Sequence, residues 1–433
     1  MPADVRAIKT PAEQSLSAAF AAARSALPGK GSIDELREAA FQRFDAAGLP
    51  HRRIEEWKYT DLRALMREAK PLAEPAKPIR HLPALPEVNA DRILMVNGRY
   101  EPTLSDFTAR RHIELREVFA FAAARKDYRL GDTPGREDIA LSLNTAFMTG
   151  GIALHVAKGA KIEKTLEIVH LFAGEKAAAM YPRSIVIVEP GARLTLIESF
   201  NGPADLDYQV NSALELHIGE GAAVEHIMIG RDGNAALRIS TLGVKVSANS
   251  TYKEFAFTTG GAVIRNQIFV RFEGKGTQAS IAGATLLRDR QHVDNTLVIE
   301  HAAGECTSRE RFRTVLDDAS HGIFQGKIIV APHAQKTDAK MASHALLLSD
   351  DAEADNKPEL EIFADDVQCG HGATAGALDK GLKFYLMSRG IPEHQAEALL
   401  IQAFVGEAIE EIADEEIREA LLNAAAKWLE ARR

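Results

Sequence analysis

A chain of 433 residues that is 46% hydrophobic and 26% charged can bury a substantial core and exceeds one ordinary compact domain, so it reads as two or three units or as one elongated array with additions. A formal net charge of -9 with no basic tract argues against nucleic-acid binding by phosphate neutralisation. Two distant cysteines, Cys306 and Cys369, and no CxxC argue against a disulfide framework and for a reducing compartment. No run approaches the roughly 18 apolar residues of a membrane span, so a cytoplasmic protein without membrane or nucleic-acid partners is expected.

Residues 1 to 125 form the first expected region. "SLSAAFAAARSALPG" is alanine-rich and interrupted by Arg24, too weakly apolar for a secretion signal, and reads as an amphipathic helix. "KPLAEPAKPIRHLPALPEV" (70 to 88) cannot continue a helix because of its repeated prolines and reads as a linker or an extended wrap. In "ILMVNGRYEP" apolar strand residues flank Asn97-Gly98, the two-residue hairpin signal.

Residues 126 to 377 form the expected core. From about residue 150 the texture changes to short β-branched runs, each followed by a small turn, as in "IALHVAKGAKI", "IVIVEPGARLTLIE" and "LELHIGEGAAVEHIMI". The turns at Gly159, Gly191, Gly221, Ala248, Lys275, Gly304, Ala334 and Asp366 recur at intervals of roughly 26 to 32 residues, a period that calls for a stacked array. No unit contains a helical pattern, which removes leucine-rich, ankyrin and βαβ readings and leaves a parallel β-helix or a multi-stranded sandwich. The same order of strand, small turn and strand, repeated eight times, favours the β-helix.

Residues 378 to 433 return to helix. Gly390 reads as the stop after "LDKGLKFYLMSR" and Pro392 as the first residue of the next helix. There Ala396, Leu399, Leu400, Ala403 and Phe404 fall on one apolar face. Asp414 is a cap for a last helix carrying Ile417, Leu421, Leu422 and Trp428. Helices this amphipathic must dock, on the side of the solenoid or on a partner protein.

Few motifs carry chemistry. "PGKGS" and "GHGATAGA" lack the spacing of a phosphate loop. The pairs Asp317-Asp318, Asp350-Asp351 and Asp365-Asp366 are the raw material of a carbohydrate-cleaving β-helix enzyme, but carboxylates in turns are more often caps. "DDVQCGHGATAGALD" (365 to 379) sets a thiol and an imidazole two positions apart. If residues 362 to 371 form the last strand, alternation places Val367, Cys369 and His371 on one face. Thiolate and imidazole suit iron or zinc, yet a structural site needs about four donors and this strand offers two. The others would come from Cys306, His333 and His344 on neighbouring repeats, or from another chain. The last strand of a solenoid exposes unpaired backbone groups and must be capped or paired, which would put Cys369 and His371 at a seam. The bland reading is a small buried cysteine beside a histidine bonded to backbone. A nucleophilic Cys-His dyad fits poorly, because alternate side chains on a strand stand about 7 Å apart.

"EEWKYTDLR", "FQGKIIV" followed by "AQKTDA", "LLLSDDAEADNKPELEIFADDVQCGHGATAG" and "YLMSRGI" closely resemble the SufB/SufD family of iron-sulfur cluster assembly proteins. The likeness covers most of the chain and is strongest from about Gly322 to Phe404. With two cysteines and no clustered motif, the chain looks like the SufD branch rather than the cysteine-richer SufB branch. The resemblance implies a right-handed parallel β-helix between helical terminal regions, and a non-catalytic, scaffold-like subunit working with SufB and the ATPase SufC. It implies that Val367, Cys369 and His371 lie at the junction with SufB, where iron or a nascent cluster is handled transiently and the remaining donors belong to SufB. SufC would dock around Tyr385, Leu399 and Phe404 and the acidic segment that follows. No cofactor is expected to be held stably by this chain alone, and Cys306 is expected in the core. The free edge also allows a homodimer of the isolated chain. Rival expectations are a carbohydrate-active enzyme and a homodimeric structural protein without metal chemistry.

Overall fold

Each corner between successive strands needs a residue that reverses the chain without a long loop. Gly159, Gly191, Gly221, Asn249, Gly276, Glu305 and Lys336 all sit at positive φ, between 57° and 70°. A left-handed residue is cheap for glycine and tolerable for asparagine. The equivalent corner therefore recurs even where glycine is replaced by Glu305 or Lys336.

The computed structural model describes residues 9–75, 84–108, 111–125 and 130–432. The middle of the proline-rich stretch, 76–83, lies outside the described residues. Its flanks are pinned: Leu72 bridges Ala179, and Ala84 and Leu85 are buried.

In chain order the first strands are β1 (Ala90–Val96), β2 (Arg99–Tyr100), β3 (Ile113–Glu117), β4 (Ile152–Val156), β5 (Thr165–Leu171), β6 (Ala179–Met180), β7 (Arg183–Val188), β8 (Arg193–Asn201), β9 (Gln209–Ile218) and β10 (Ala223–Arg231). There follow β11 (Leu237–Val246), β12 (Thr251–Thr258), β13 (Val263–Phe272), β14 (Gln278–Leu287) and β15 (His292–His301). The last are β16 (Thr307–Leu316), β17 (His321–Val330), β18 (Asp338–Leu347), β19 (Glu353–Ile362) and β20 (Gln368–Gly376). Alternate strands feed two facing sheets, ordered β2-β1-β5-β8-β10-β12-β14-β16-β18-β20 and β19-β17-β15-β13-β11-β9-β7-β4-β3. Apart from the antiparallel pairs β1 with β2 and β3 with β4, the sheet pairings are parallel. The chain is a parallel β-helix of about eight turns, as expected.

Parallel in-register pairing stacks like positions into columns. Val186, Leu216, Val244, Val270, Ile299, Ile328 and Leu360 form one such column on the inner face. The Asn97-Gly98 hairpin joins β1 to β2 with both turn residues at positive φ, 50° and 77°, and β1 adds to the start of one sheet beside β5.

Helices α1 (Pro11–Ala23) and α2 (Ser32–Ala47), the short α3 (Leu62–Leu65) and α4 (Val118–Ala124), and α5 (Ile139–Phe147) precede the main stack. Leu16, Phe20, Phe44 and Phe147 pack with Leu237 and Ile239 on the outside of the second sheet. The "EEWKYTDLR" stretch anchors this layer. Trp57 is buried, its Nε1–H donates to Asp138 at 3.0 Å, and the Arg265 guanidinium lies 3.9 Å over its ring. Nearby, the Thr60 hydroxyl donates to Asp294 at 2.5 Å.

α6 (Lys380–Ser388), α7 (Glu393–Ile409) and α8 (Glu415–Glu430) close the chain. Ile401, Val405, Ala408 and Ile409 of α7 and Ile417, Leu421 and Trp428 of α8 dock on Ile227, Ile229, Phe255, Phe257 and Leu286 of the first sheet. The docked stripe of α7 is therefore not the one expected. Of the predicted face only Ala396 is buried, and Leu399 is 46% exposed. Apolar residues fall on more than one side of the helix, with Glu397, Gln402 and Glu407 between them, so periodicity alone does not select a side. Pro392 is the cap residue before α7 rather than its first turn, while Asp414 caps α8 through the Ile417 N–H.

Candidate functional site

The two ends of the solenoid are built differently, and the candidate site lies at the later one. β19 bonds only to β17 and β20 only to β18, so each ends its sheet with a free edge. The last strand is not 362 to 371, the span on which the face assignment is conditional. β19 stops at Ile362, a corner intervenes, and β20 starts at Gln368. The corner is held by Lys336 N–H donating to the Asp366 carbonyl at 2.6 Å and by Gln368 N–H donating to the Thr337 carbonyl at 2.8 Å.

Pairing with β18 sets Cys369 over Ala339 and His371 over Met341. Both lower residues are core, so Cys369 and His371 continue inward-facing columns that end in open space. Cys369 and Val367 are half-buried against the same core, and His371 is exposed. Thiol and imidazole thus stand side by side on the rim. Burial pushes the Cys369 thiol above its ordinary range. The Ala339 N–H opposes that shift, and the negative charge of Asp338 adds to it. A neutral thiol is a poor ligand until something draws its proton away.

The proposed additional donors are elsewhere. Cys306 is fully buried in the column of Thr337 and Val367, its Sγ near the carbonyls of Gly274 and Gly304. His333 is engaged by the Ala302 carbonyl at 2.7 Å. His344 faces outward, with Nδ1 2.6 Å from the Thr374 hydroxyl. Among the described residues no three His, Cys, Asp or Glu side chains are grouped to hold a metal ion. The rim itself carries one thiol and one imidazole. The aspartate pairs are equally dispersed: Asp317 is paired with Arg432, Asp318 accepts the Asp289 N–H, and the other pairs lie at separate corners.

Apart from Leu422 on α8, the exposed large apolar side chains among the described residues gather in two places. Phe363 (62%) and Ile362 stand beside the free edge, and Phe384 (73%), Leu382, Tyr385, Met387 and Leu399 stand on α6 and the adjoining turn of α7. α6 buries none of its residues. Tyr385 and Leu399 belong to this surface, with the Arg389 guanidinium 5.2 Å from the Tyr385 ring. Phe404 instead is half-buried against the solenoid beneath Arg313, 4.8 Å away.

A model described as "SUF system FeS cluster assembly, SufBD core domain" matches residues 170–404, and one described as "SufBD protein N-terminal region" matches 11–168. The chain belongs to the SufB/SufD family. Within the family the chain is similar to the iron-sulfur cluster assembly protein SufD of Escherichia coli, 30% identical over 380 residues that cover 87% of this chain and 88% of that one. It is also similar to a SufBD family protein of Synechocystis, at 29% over 87% and 86%, and to the chloroplastic protein ABCI7 of Arabidopsis thaliana, at 29% over 66% and 62%. The matched core model spans Cys369 and His371 as well as Tyr385, Leu399 and Phe404. No helix among the described residues is long and apolar enough to cross a membrane.

Reading the residues alone missed the charged side chains inside the solenoid. Leu196, His226, Glu254, Ile281, Glu310, Met341 and His371 form one column. His226 Nδ1 and Glu254 are 2.7 Å apart, and the Tyr252 hydroxyl donates to the same carboxylate at 2.7 Å. The signal was present in "VEHIMI" and "TSRERF", where alternation puts the charged residue on the same face as buried apolar ones.

Proposed function

We propose that this chain is a non-catalytic, cytoplasmic subunit of a SUF-type assembly complex, joined to a SufB paralogue at its free edge and to the ATPase SufC through its C-terminal helices. The supporting observation is the rim itself: two unpaired strand edges carry a thiol and an imidazole over open core, flanked by exposed Ile362 and Phe363. A second solenoid end continuing both sheets would satisfy the backbone groups and cover the apolar rim. It would also supply the donors that are missing here. Iron or a nascent cluster is then cargo held between two chains, with His371 as the main partner-facing donor and Cys369 its neighbour. Without the paralogue, the same edge pairs two copies of this chain.

The ATPase end of the reading rests on α6, a helix with no buried residue that presents Leu382, Phe384, Tyr385 and Met387 beside Leu399. ATP-driven movement of this segment would reach the rim through the solenoid as a two-state change rather than as chemistry in this chain. His371→Ala, co-expressed with SufB and SufC, should leave the complex intact and lower its iron and acid-labile sulfide content severalfold. Unchanged cluster content in an intact complex would refute the role of His371.

A further inference from the structure

Two carboxylates occupy the same inner column two rungs apart, and only one has a cation. Glu254 receives the Tyr252 hydroxyl and pairs with His226, whose imidazole the two flanking carboxylates Glu198 and Glu254 keep protonated above the ordinary value despite its burial. Glu310 is fully buried, and neither of its oxygens has a hydrogen-bond partner. The groups around it do not supply a counter-charge. Ser308, on the same face of β16, bonds His301 at 3.0 Å, and His301 is neutral, its pKa lowered by burial to about 4. Arg309 points the other way and is taken by Asp338 at 2.6 Å. Ile281 lies below Glu310 in the column and Met341 above, and that rung, with Ala339, separates Glu310 from Cys369 and His371. Phe312 and Phe324 complete the apolar surroundings.

An uncompensated carboxylate is too costly in such a place, so the group stays protonated: desolvation pushes its pKa up to about 8, with Ser308 and Arg309 opposing only in part. Among the described residues two rungs of this sheet, β18 and β20, lie above Glu310, and β20 is the terminal strand. The cheapest way to hydrate the ion is therefore upward, through the end of the stack.

We propose that Glu310 is a proton-operated catch on the last two rungs: protonated, it lets β18 and β20 close over it, and once ionised it favours their separation from β16. The sign follows from linkage. In the opened end the carboxyl has its ordinary value near 4.5, and in the closed end about 8. Opening therefore becomes easier as pH rises between those values, by up to about tenfold per unit, and levels off above the upper one. Anything that requires β20 in register binds the protonated form better.

The test is amide hydrogen exchange of the full chain between pH 5.5 and 9, comparing β18 and β20 with β13 and β15 as internal reference. The catch predicts that protection of β18 and β20 falls relative to the reference up to about pH 8 and then levels off, and that Glu310→Gln shows a flat ratio. Equal slopes in wild type and Glu310→Gln would overturn it, as would a wild-type ratio that does not change with pH. Should Glu310→Gln fail to fold, the wild-type ratio decides alone. The outcome does not depend on which partner binds the edge.

Discussion

The solenoid has one finished end and one unfinished end. At the start, β1 folds back on β2 and β3 runs antiparallel to β4, so both sheets end in an antiparallel strand that breaks the parallel repeat. At the far end β19 and β20 simply stop, with their last inward side chains half-covered or bare. A protein that can cap one end of a β-helix and leaves the other bare is reserving that edge, because an exposed strand of this length is otherwise an aggregation hazard. The interior follows the same division. Near the start and middle, buried charges are matched: His226 with Glu254 at 2.7 Å and Arg238 with Asp232 at 2.8 Å, and, on the outward face of the second sheet, Arg183 with Glu215 at 2.6 Å. Near the free end, Glu310 is unmatched.

The largest effect is expected where a buried match is broken. Arg183→Leu removes the guanidinium that pairs with the buried Glu215. Breaking this buried ion pair from one side should cost about 3–5 kcal/mol, seen as a lower denaturant midpoint. A change below about 1 kcal/mol would mean that Glu215 is rehydrated and that the site is less dry than its burial indicates.

A pair of truncations in one column measures the difference between the ends directly. Ile299, two rungs in from the edge, is fully buried, whereas Leu360 of β19 is half-exposed in the same column. Ile299→Ala should cost about 2–5 kcal/mol. Leu360→Ala should cost less than half as much in the isolated chain, because half of its neighbours are absent. In the assembled complex the gap should narrow. Equal costs in the isolated chain would show that the end is already covered.

Much of this contrast was legible in the residues. Recurring small turns fixed the β-helix because each corner needs a left-handed residue at the same place, and the Asn97-Gly98 hairpin was readable for the same local reason. What was not legible depended on neighbours several rungs away. The corner between Ile362 and Gln368 was marked by the period, which puts a turn at Asp366, but its extent was not, because Phe363 to Val367 contains no glycine or proline to delimit it. The docked side of α7 was misread because both of its sides are apolar, and only Phe255 and Phe257 on the sheet decide between them. The pairing of Cys369 with His371 on one inward face was readable from alternation, as was a core place for Cys306, but the placement of His333 at a corner and of His344 on the outward face of β18 depended on strand bounds that the residues do not mark.

The smallest effect on stability should come from the residue whose exposure most needs explaining. Phe363 is 62% exposed at the corner after β19 and tied there only through its backbone N–H to the Val330 carbonyl. Phe363→Ser removes no core contact, so the isolated chain should change by no more than about 0.5 kcal/mol. If the bare rim is reserved for another solenoid end, the same substitution should weaken association at least tenfold, because a large ring on a strand edge is the type of anchor that dominates such contacts. Sedimentation of the chain alone and co-purification with a SufB paralogue read this out separately. Loss of stability without loss of association would place the ring in this chain's own fold and remove the strongest reason for regarding the far end as unfinished.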